Sequence, residues 1–209
     1  MSWIIQPEAV FKSSPVVPVM VINELDDAVP MAKALASGGI NIFEITLRTP
    51  AALAAITAIR AALPDALVGA GTVINTQQYD EAVAAGAQFI ISPGYSEVLL
   101  KHAKESSVAL IPGVATPSEI VTALEHGYDH LKFFPAEANG GAPALKSISG
   151  PLPQVKFCPT GGISPKNIAD YRAIKSVATV GGSWMLPNDV LESKDWAKVE
   201  QLAKKAVNL

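Results

Sequence analysis

Lys132 stands in the run His130-Leu131-Lys132-Phe133-Phe134-Pro135, where apolar and aromatic residues flank a single ammonium group. Short, aromatic-rich and stopped by proline, the run reads as a buried β-strand. An unpaired charge is costly to bury, and an apolar setting favours the neutral form of an amine. A neutral amine attacks carbonyl carbon, so a strand-buried lysine is the starting point of Schiff-base chemistry. The competing reading is a lysine that buries its stem and carries its head to water or to a carboxylate. Other residues have to decide between the two.

The first of them lie in Ile42-Phe43-Glu44-Ile45-Thr46-Leu47-Arg48. Alternation along a strand sends Phe43, Ile45 and Leu47 to one face and Glu44, Thr46 and Arg48 to the other. A carboxylate and a guanidinium on an inward face form either a core ion pair, which adds little stability, or a reactive pair. In the second case Glu44 transfers protons and Arg48 holds a substrate carboxylate. Further on, Gly69-Ala70-Gly71-Thr72, Ser92-Pro93-Gly94 and Ile111-Pro112-Gly113 end apolar runs with small residues that let a ligand approach the backbone. Each is an ordinary turn when taken alone. Thr160-Gly161-Gly162-Ile163-Ser164 and Gly181-Gly182-Ser183 carry paired glycines whose N–H groups, with a helix start after each, suit a phosphate. The three histidines are scattered, with no metal-ligand spacing. His102 and His126 read as surface or helix-end residues, and His130 faces either the site or the opposite end of its strand. Asp129, Glu137 and Lys146 are rim candidates without an assigned role.

These residues need elements to position them. Eight apolar runs, Val16–Ile22, Ile42–Leu47, Leu67–Ala70, Phe89–Ser92, Ala109–Pro112, Leu131–Phe134, Val155–Cys158 and Val177–Val180, start 20 to 26 residues apart. Helical stretches lie between them: Pro50–Leu63, Gln77–Ala85, Ser96–Glu105, Ser118–Glu125 and Pro165–Ile174. Asn23, Asn75 and Thr116 stand where helix starts are expected, and Gly38-Gly39, Gly86 and Gly127 where helices stop. Pro30 falls near a first turn, where a missing N–H costs least. Strand–helix alternation implies parallel strands covered by helices, and eight units predict a single-domain (β/α)₈ barrel over 1–209. Its reactive groups then belong at the C-terminal strand ends. An open doubly wound sheet is the alternative, disfavoured by the lack of a Gly-x-Gly-x-x-Gly turn after the first strand. Pro7–Lys12 is expected to cover the barrel floor and Lys194–Val207 to close the barrel as an amphipathic helix.

The chain has 209 residues, 49% hydrophobic and 17% charged, which fits a packed core and argues against disorder. A net charge of −3 with no basic stripe speaks against nucleic acid. No apolar run is long enough to span a bilayer, and no signal peptide is evident. The single Cys158 cannot form an internal disulfide and reads as a small core residue on a strand. A reducing, cytoplasmic setting is expected.

The motifs Phe43–Thr49, Gly69-Ala70-Gly71-Thr72-Val73, Ile91-Ser92-Pro93-Gly94, Ile111-Pro112-Gly113, Leu131–Ala136, Pro159-Thr160-Gly161-Gly162 and Val180-Gly181-Gly182-Ser183 occur in order over nearly the whole chain. In them the chain resembles the 2-keto-3-deoxy-6-phosphogluconate and 4-hydroxy-2-oxoglutarate aldolases. The resemblance implies a class I aldolase that releases pyruvate and glyceraldehyde 3-phosphate through a Schiff base on Lys132, with Glu44 moving protons. It further implies that Arg48 and Thr72 hold the pyruvyl carboxylate between apolar walls at Phe134 and Pro93. Thr160 would meet a substrate hydroxyl, and Gly161, Gly162 and Ser183 would take the phosphate. No metal or organic cofactor is implied, and the family is typically trimeric. The residues alone leave open a phosphosugar isomerase or epimerase barrel, and a non-catalytic sugar-phosphate-binding barrel. Within the aldolase reading, 4-hydroxy-2-oxoglutarate, oxaloacetate and the galactonate epimer suit the same site.

Overall fold

The computed structural model describes residues 1–209. Its strands are β1 (Val16–Met20), β2 (Ile42–Thr46), β3 (Leu67–Gly71), β4 (Phe89–Ile91), β5 (Ala109–Ile111), β6 (Gly113–Val114), β7 (His130–Phe133), β8 (Lys156–Pro159) and β9 (Val180–Gly182). The helices are α1 (Pro7–Lys12), α2 (Leu25–Ser37), α3 (Ala52–Ala62), α4 (Thr76–Ala84), α5 (Glu97–Glu105), α6 (Pro117–Glu125), α7 (Gly141–Ser149), α8 (Ile168–Arg172), α9 (Asn188–Glu192) and α10 (Trp196–Val207). Apolar runs stopped by glycine or proline form the strands, and capped alanine-rich segments form the helices between them. Asn75 and Ser96 accept the Gln78 and Leu99 N–H groups, and Thr116 with Glu119 makes a complete capping box. Gly86 and Gly127 follow α4 and α6 at φ +97° and +81°, the left-handed step that ends a helix cheaply only at glycine.

Every strand pairing is parallel, in the orders β5-β4-β3-β2-β1-β9 and β6-β7-β8. Pro112 lacks an N–H and divides one barrel strand into β5 and β6. The bridges Phe157↔Val177 and Thr160↔Gly181 join β8 to β9, so the ring closes as the predicted eight-stranded barrel. One contiguous cluster of 59 buried apolar residues fills the barrel and the layer beneath its helices. α1 lies under the floor, where the Phe11 ring meets His130 edge-on at 5.3 Å. α10 packs on α2 so closely that a Cβ on Gly38 would lie 2.5 Å from the Ala203 methyl.

The differences from the expected elements have local causes. The last strand is Val180–Gly182 rather than Val177–Val180, because Val177 makes only one bridge and the ladder to β1 begins at Val180. α2 starts after Glu24 without a side-chain cap, and Pro30 sits inside it. α7 starts on two left-handed glycines, Gly140 at its cap and Gly141 at its first position, and so reads as loop in the sequence. α8 and α9 begin at Ile168 and Asn188, several residues beyond the paired glycines, so no helix terminus sits directly behind either glycine turn.

Candidate active site

β7 and β2 stand across the barrel from each other, and both turn a charged side chain inward. Lys132 lies between Leu131 and Phe133, which are fully buried, and is itself only 6% exposed. Glu44 sits at the centre of a strand whose five residues are all buried, and is 1% exposed. The Lys132 ammonium donates to Glu44 Oε1 at 3.1 Å. The lysine head therefore does not escape to water, and the buried partner of Glu44 is Lys132 rather than Arg48. Thr46, next on the inward face of β2, donates its hydroxyl to the Met20 carbonyl of β1 at 2.9 Å and braces the strand.

The surroundings leave this pair little freedom. A Cβ on Gly71 would lie 2.3 Å from Glu44 Oε1, so the absence of a side chain there makes the space the carboxylate occupies. Lys132 is flanked in register by Gly113 of β6 and Cys158 of β8. A Cβ on Gly113 would in turn strike the Pro93 carbonyl at 2.3 Å, which packs the end of β4 tightly against β6. The Phe134 ring centroid is 5.2 Å from Lys132 Nζ and forms an apolar wall beside the amine. Burial pushes the Cys158 thiol up to about 12, with the Glu44 charge acting in the same direction and Lys132 opposing it. The thiol next to the amine is therefore protonated and not a competing nucleophile.

The remaining expected residues ring this pair at the C-terminal strand ends. Thr72 follows β3 with φ +61°, a left-handed conformation uncommon for a β-branched residue. Such strain persists where the surrounding structure enforces it, and it marks functional turns. Arg48 lies just past the end of β2, exposed and with no side-chain partner, which leaves its guanidinium free for an anion. Thr160 is 5% exposed, with its hydroxyl toward the Cys158 carbonyl at 3.4 Å. A Cβ on Gly181 would overlap that hydroxyl at 2.2 Å, and one on Gly182 would overlap the Trp184 ring at 2.0 Å. Both glycines are strand residues, so their smallness serves packing, while Ser183 is the exposed residue beyond them. The N–H groups of Gly161, Gly162, Ile163 and Ser183 donate to no acceptor within the chain. Four free donors thus stand at adjacent strand ends, backbone groups of the kind that can take an anion.

The structure also settles the residues left open. His130 opens β7 at the floor, bonded to Asp129 at 2.7 Å and remote from the catalytic rim. His102 pairs with Asp80 at 2.7 Å on the helical layer. Glu137 is nearer the site than its sequence context signals. Its carboxylate accepts the Tyr171 hydroxyl, its N–H donates to the Gly161 carbonyl at 3.1 Å, and its side chain abuts Gly162. It ties the loop after β7 to the glycine turn after β8. Sequence reasoning also missed the place of Cys158 beside Lys132, because a strand cysteine looks like any small core residue. No group of three or more His, Cys, Asp or Glu side chains is gathered to hold a metal ion.

Comparison with known proteins agrees with this arrangement. The chain is 53% identical to the KHG/KDPG aldolase of Escherichia coli K12 over 206 residues, which cover 99% of this chain and 97% of that protein. It is 55% identical to the 2-dehydro-3-deoxy-phosphogluconate aldolase of Dickeya dadantii 3937, with the same coverage. Among solved structures, the KDPG aldolase of Legionella pneumophila, with pyruvate captured as a covalent carbinolamine, superposes with a TM-score of 0.96. That pair shares 51% identity over 98% of this chain and 100% of the other. A barrel with a buried lysine–glutamate pair, these relatives, and a family model for KDPG and KHG aldolases that matches residues 7–202 place the chain in the KDPG/KHG aldolase family.

Proposed function

We propose that the chain cleaves 2-keto-3-deoxy-6-phosphogluconate to pyruvate and glyceraldehyde 3-phosphate, and 4-hydroxy-2-oxoglutarate to pyruvate and glyoxylate, with Lys132 as Schiff-base lysine and Glu44 as proton carrier. The observation that carries the assignment is the buried contact of 3.1 Å between Lys132 Nζ and Glu44 Oε1, across a barrel with no other charged pair in its interior. Transfer of the ammonium proton to Glu44 frees the amine. Nζ then adds to the C2 carbonyl to give a carbinolamine, and Glu44 passes its proton to the carbinolamine hydroxyl, which leaves as water to give an iminium and a free carboxylate. Glu44 takes the C4 hydroxyl proton, directly or through one water, and the C3–C4 bond breaks with its electrons moving into the enamine. The aldehyde leaves. The same carboxyl returns a proton to C3, and hydrolysis of the iminium releases pyruvate and restores the amine.

Binding follows from the two rims. Arg48 and the strained Thr72 turn take the keto-acid carboxylate at β2 and β3. The free N–H groups of Gly161 and Gly162, with Ser183 and the β9 end at Gly181-Gly182, take the phosphate, while Thr160 meets a hydroxyl between them. Pro93 and Phe134 wall the reacting carbons. Incubation with pyruvate and borohydride should add one reduced pyruvyl group, and peptide mapping should place it on Lys132. An unmodified protein, or an adduct on another lysine, would refute the mechanism. A homotrimer in the cytoplasm completes the proposal. Exposed Ile74, Val98 and Val121, on successive strand–helix units, are apolar side chains that assembly would cover. Light scattering should give about three times the 21.8 kDa chain mass.

A further inference from the structure

The loops that enter β8 and β9, at the end of the barrel opposite Lys132, border an open cavity of about 500 Å³. Lys146 near the end of α7, Lys156 at the first position of β8 and Lys175 before β9 all line it. No carboxylate does, and none of the three lysines takes part in an ion pair. In a chain of net charge −3, three unbalanced ammonium groups around one concavity concentrate positive potential there.

One buried side chain beside the lysines is also without a partner. Ser176 lines the same cavity and is 8% exposed, yet its hydroxyl has no hydrogen-bond partner. Buried hydroxyls almost always find one. The backbone adds donors, since the N–H groups of Gly150, Lys175 and Ser176 have no acceptor within the chain. Point charges on flexible stems with free amides recognise an anion through charge and donors rather than through planar shape. The volume exceeds the needs of a bare oxyanion and lies in the range of small-metabolite sites.

We infer that this cavity binds a small, multiply charged anion bearing phosphate or several carboxylates, at a place distinct from the catalytic rim. Lys156 opens the strand whose other end leads to Thr160, roughly 13 Å away at strand rise, so the two sites are separate. Calorimetric titration at low ionic strength with pyrophosphate, and separately with citrate, tests it on the native enzyme, on Lys146→Gln/Lys175→Gln and on Ser183→Ala. At least one anion should bind the native chain at micromolar to millimolar concentration, and the stronger of the two identifies the chemistry. Binding should weaken at least about tenfold in the lysine double variant and stay unchanged in Ser183→Ala. Both lysines are exposed, so the double variant should keep its aldol cleavage and its circular dichroism. Should it fail to fold, the two single lysine variants carry the comparison. No binding of either anion, equal binding after lysine removal, or loss in Ser183→Ala instead would overturn the inference without touching the aldolase assignment.

Discussion

Lys132 and Glu44 share one buried contact but have separable duties. Lys132→Ala should abolish cleavage, and Lys132→Arg should not restore it, because a guanidinium stays protonated and cannot add to a carbonyl. Glu44→Gln preserves the shape that Gly71 accommodates but removes the proton carrier. It should form the pyruvyl adduct under borohydride more slowly, since Glu44 also frees the amine, and kcat should fall by about 10²- to 10⁴-fold. A Glu44→Gln enzyme that cleaves at the native rate would remove Glu44 from the chemistry. The two anchors separate in the same way. Arg48→Ala should weaken every 2-keto acid, whereas Ser183→Ala or Gly162→Val should hurt the phosphorylated substrate far more than 4-hydroxy-2-oxoglutarate. Each loss is worth roughly 1.5–3 kcal/mol, about ten- to a hundredfold in kcat/KM. Equal losses on both substrates in the Ser183 and Gly162 variants would refute the phosphate assignment. Lys132 and Glu44 were legible because a charge inside an apolar strand is anomalous on sight. Their contact was not, since 88 residues separate them and only the closed ring brings them together.

Among the elements, α6 has the most complete start. The Thr116 hydroxyl accepts the Glu119 N–H, and the Glu119 carboxylate takes the Ala115 and Thr116 N–H groups at 2.7 and 2.8 Å. Thr116→Ala should cost about 1 kcal/mol and lower Tm by about 2–4 °C, with kcat unchanged, as thermal unfolding will show. The cap was readable as Thr-Pro-Ser-Glu because capping chemistry is local. Strand periodicity was readable for the same reason, and it placed Glu44 and Thr46 inward correctly. Legibility ended where an element depends on its neighbours. Val177 and Thr179 look like strand residues, but the ladder to β1 begins at Val180 and runs into glycines. Those glycines favour no strand by themselves. They belong to one because they pair with Val17 and Pro18 of β1. Arg48 shows the same limit, since alternation sent it into the barrel whereas β2 stops at Thr46 and leaves it on the rim.

For the molecule as a whole, alkali is the vulnerable side. Burial raises the Cys158 thiol from 9.0 and the Tyr79 phenol from 10.0, each to about 12, and it raises Tyr128 and Tyr171 as well. In the unfolded chain these groups lose protons near their ordinary values, while the folded chain keeps them. The folded state then binds more protons between about pH 9 and 12, so stability falls as pH rises through that window. Urea unfolding should give a lower midpoint at pH 10.5 than at pH 8, and an unchanged midpoint would contradict the burial of these groups. The solitary thiol beside the amine also makes the barrel its own stopwatch. Cys158 is 3% exposed, so a disulfide reagent reaches it only when its surroundings open, and the labelling rate at neutral pH times that opening rather than thiol reactivity. A pyruvyl group reduced onto Lys132 would fill the space next to that sulfur and slow the clock, which turns one unmutated cysteine into a gauge of how tightly the bound substrate closes the site.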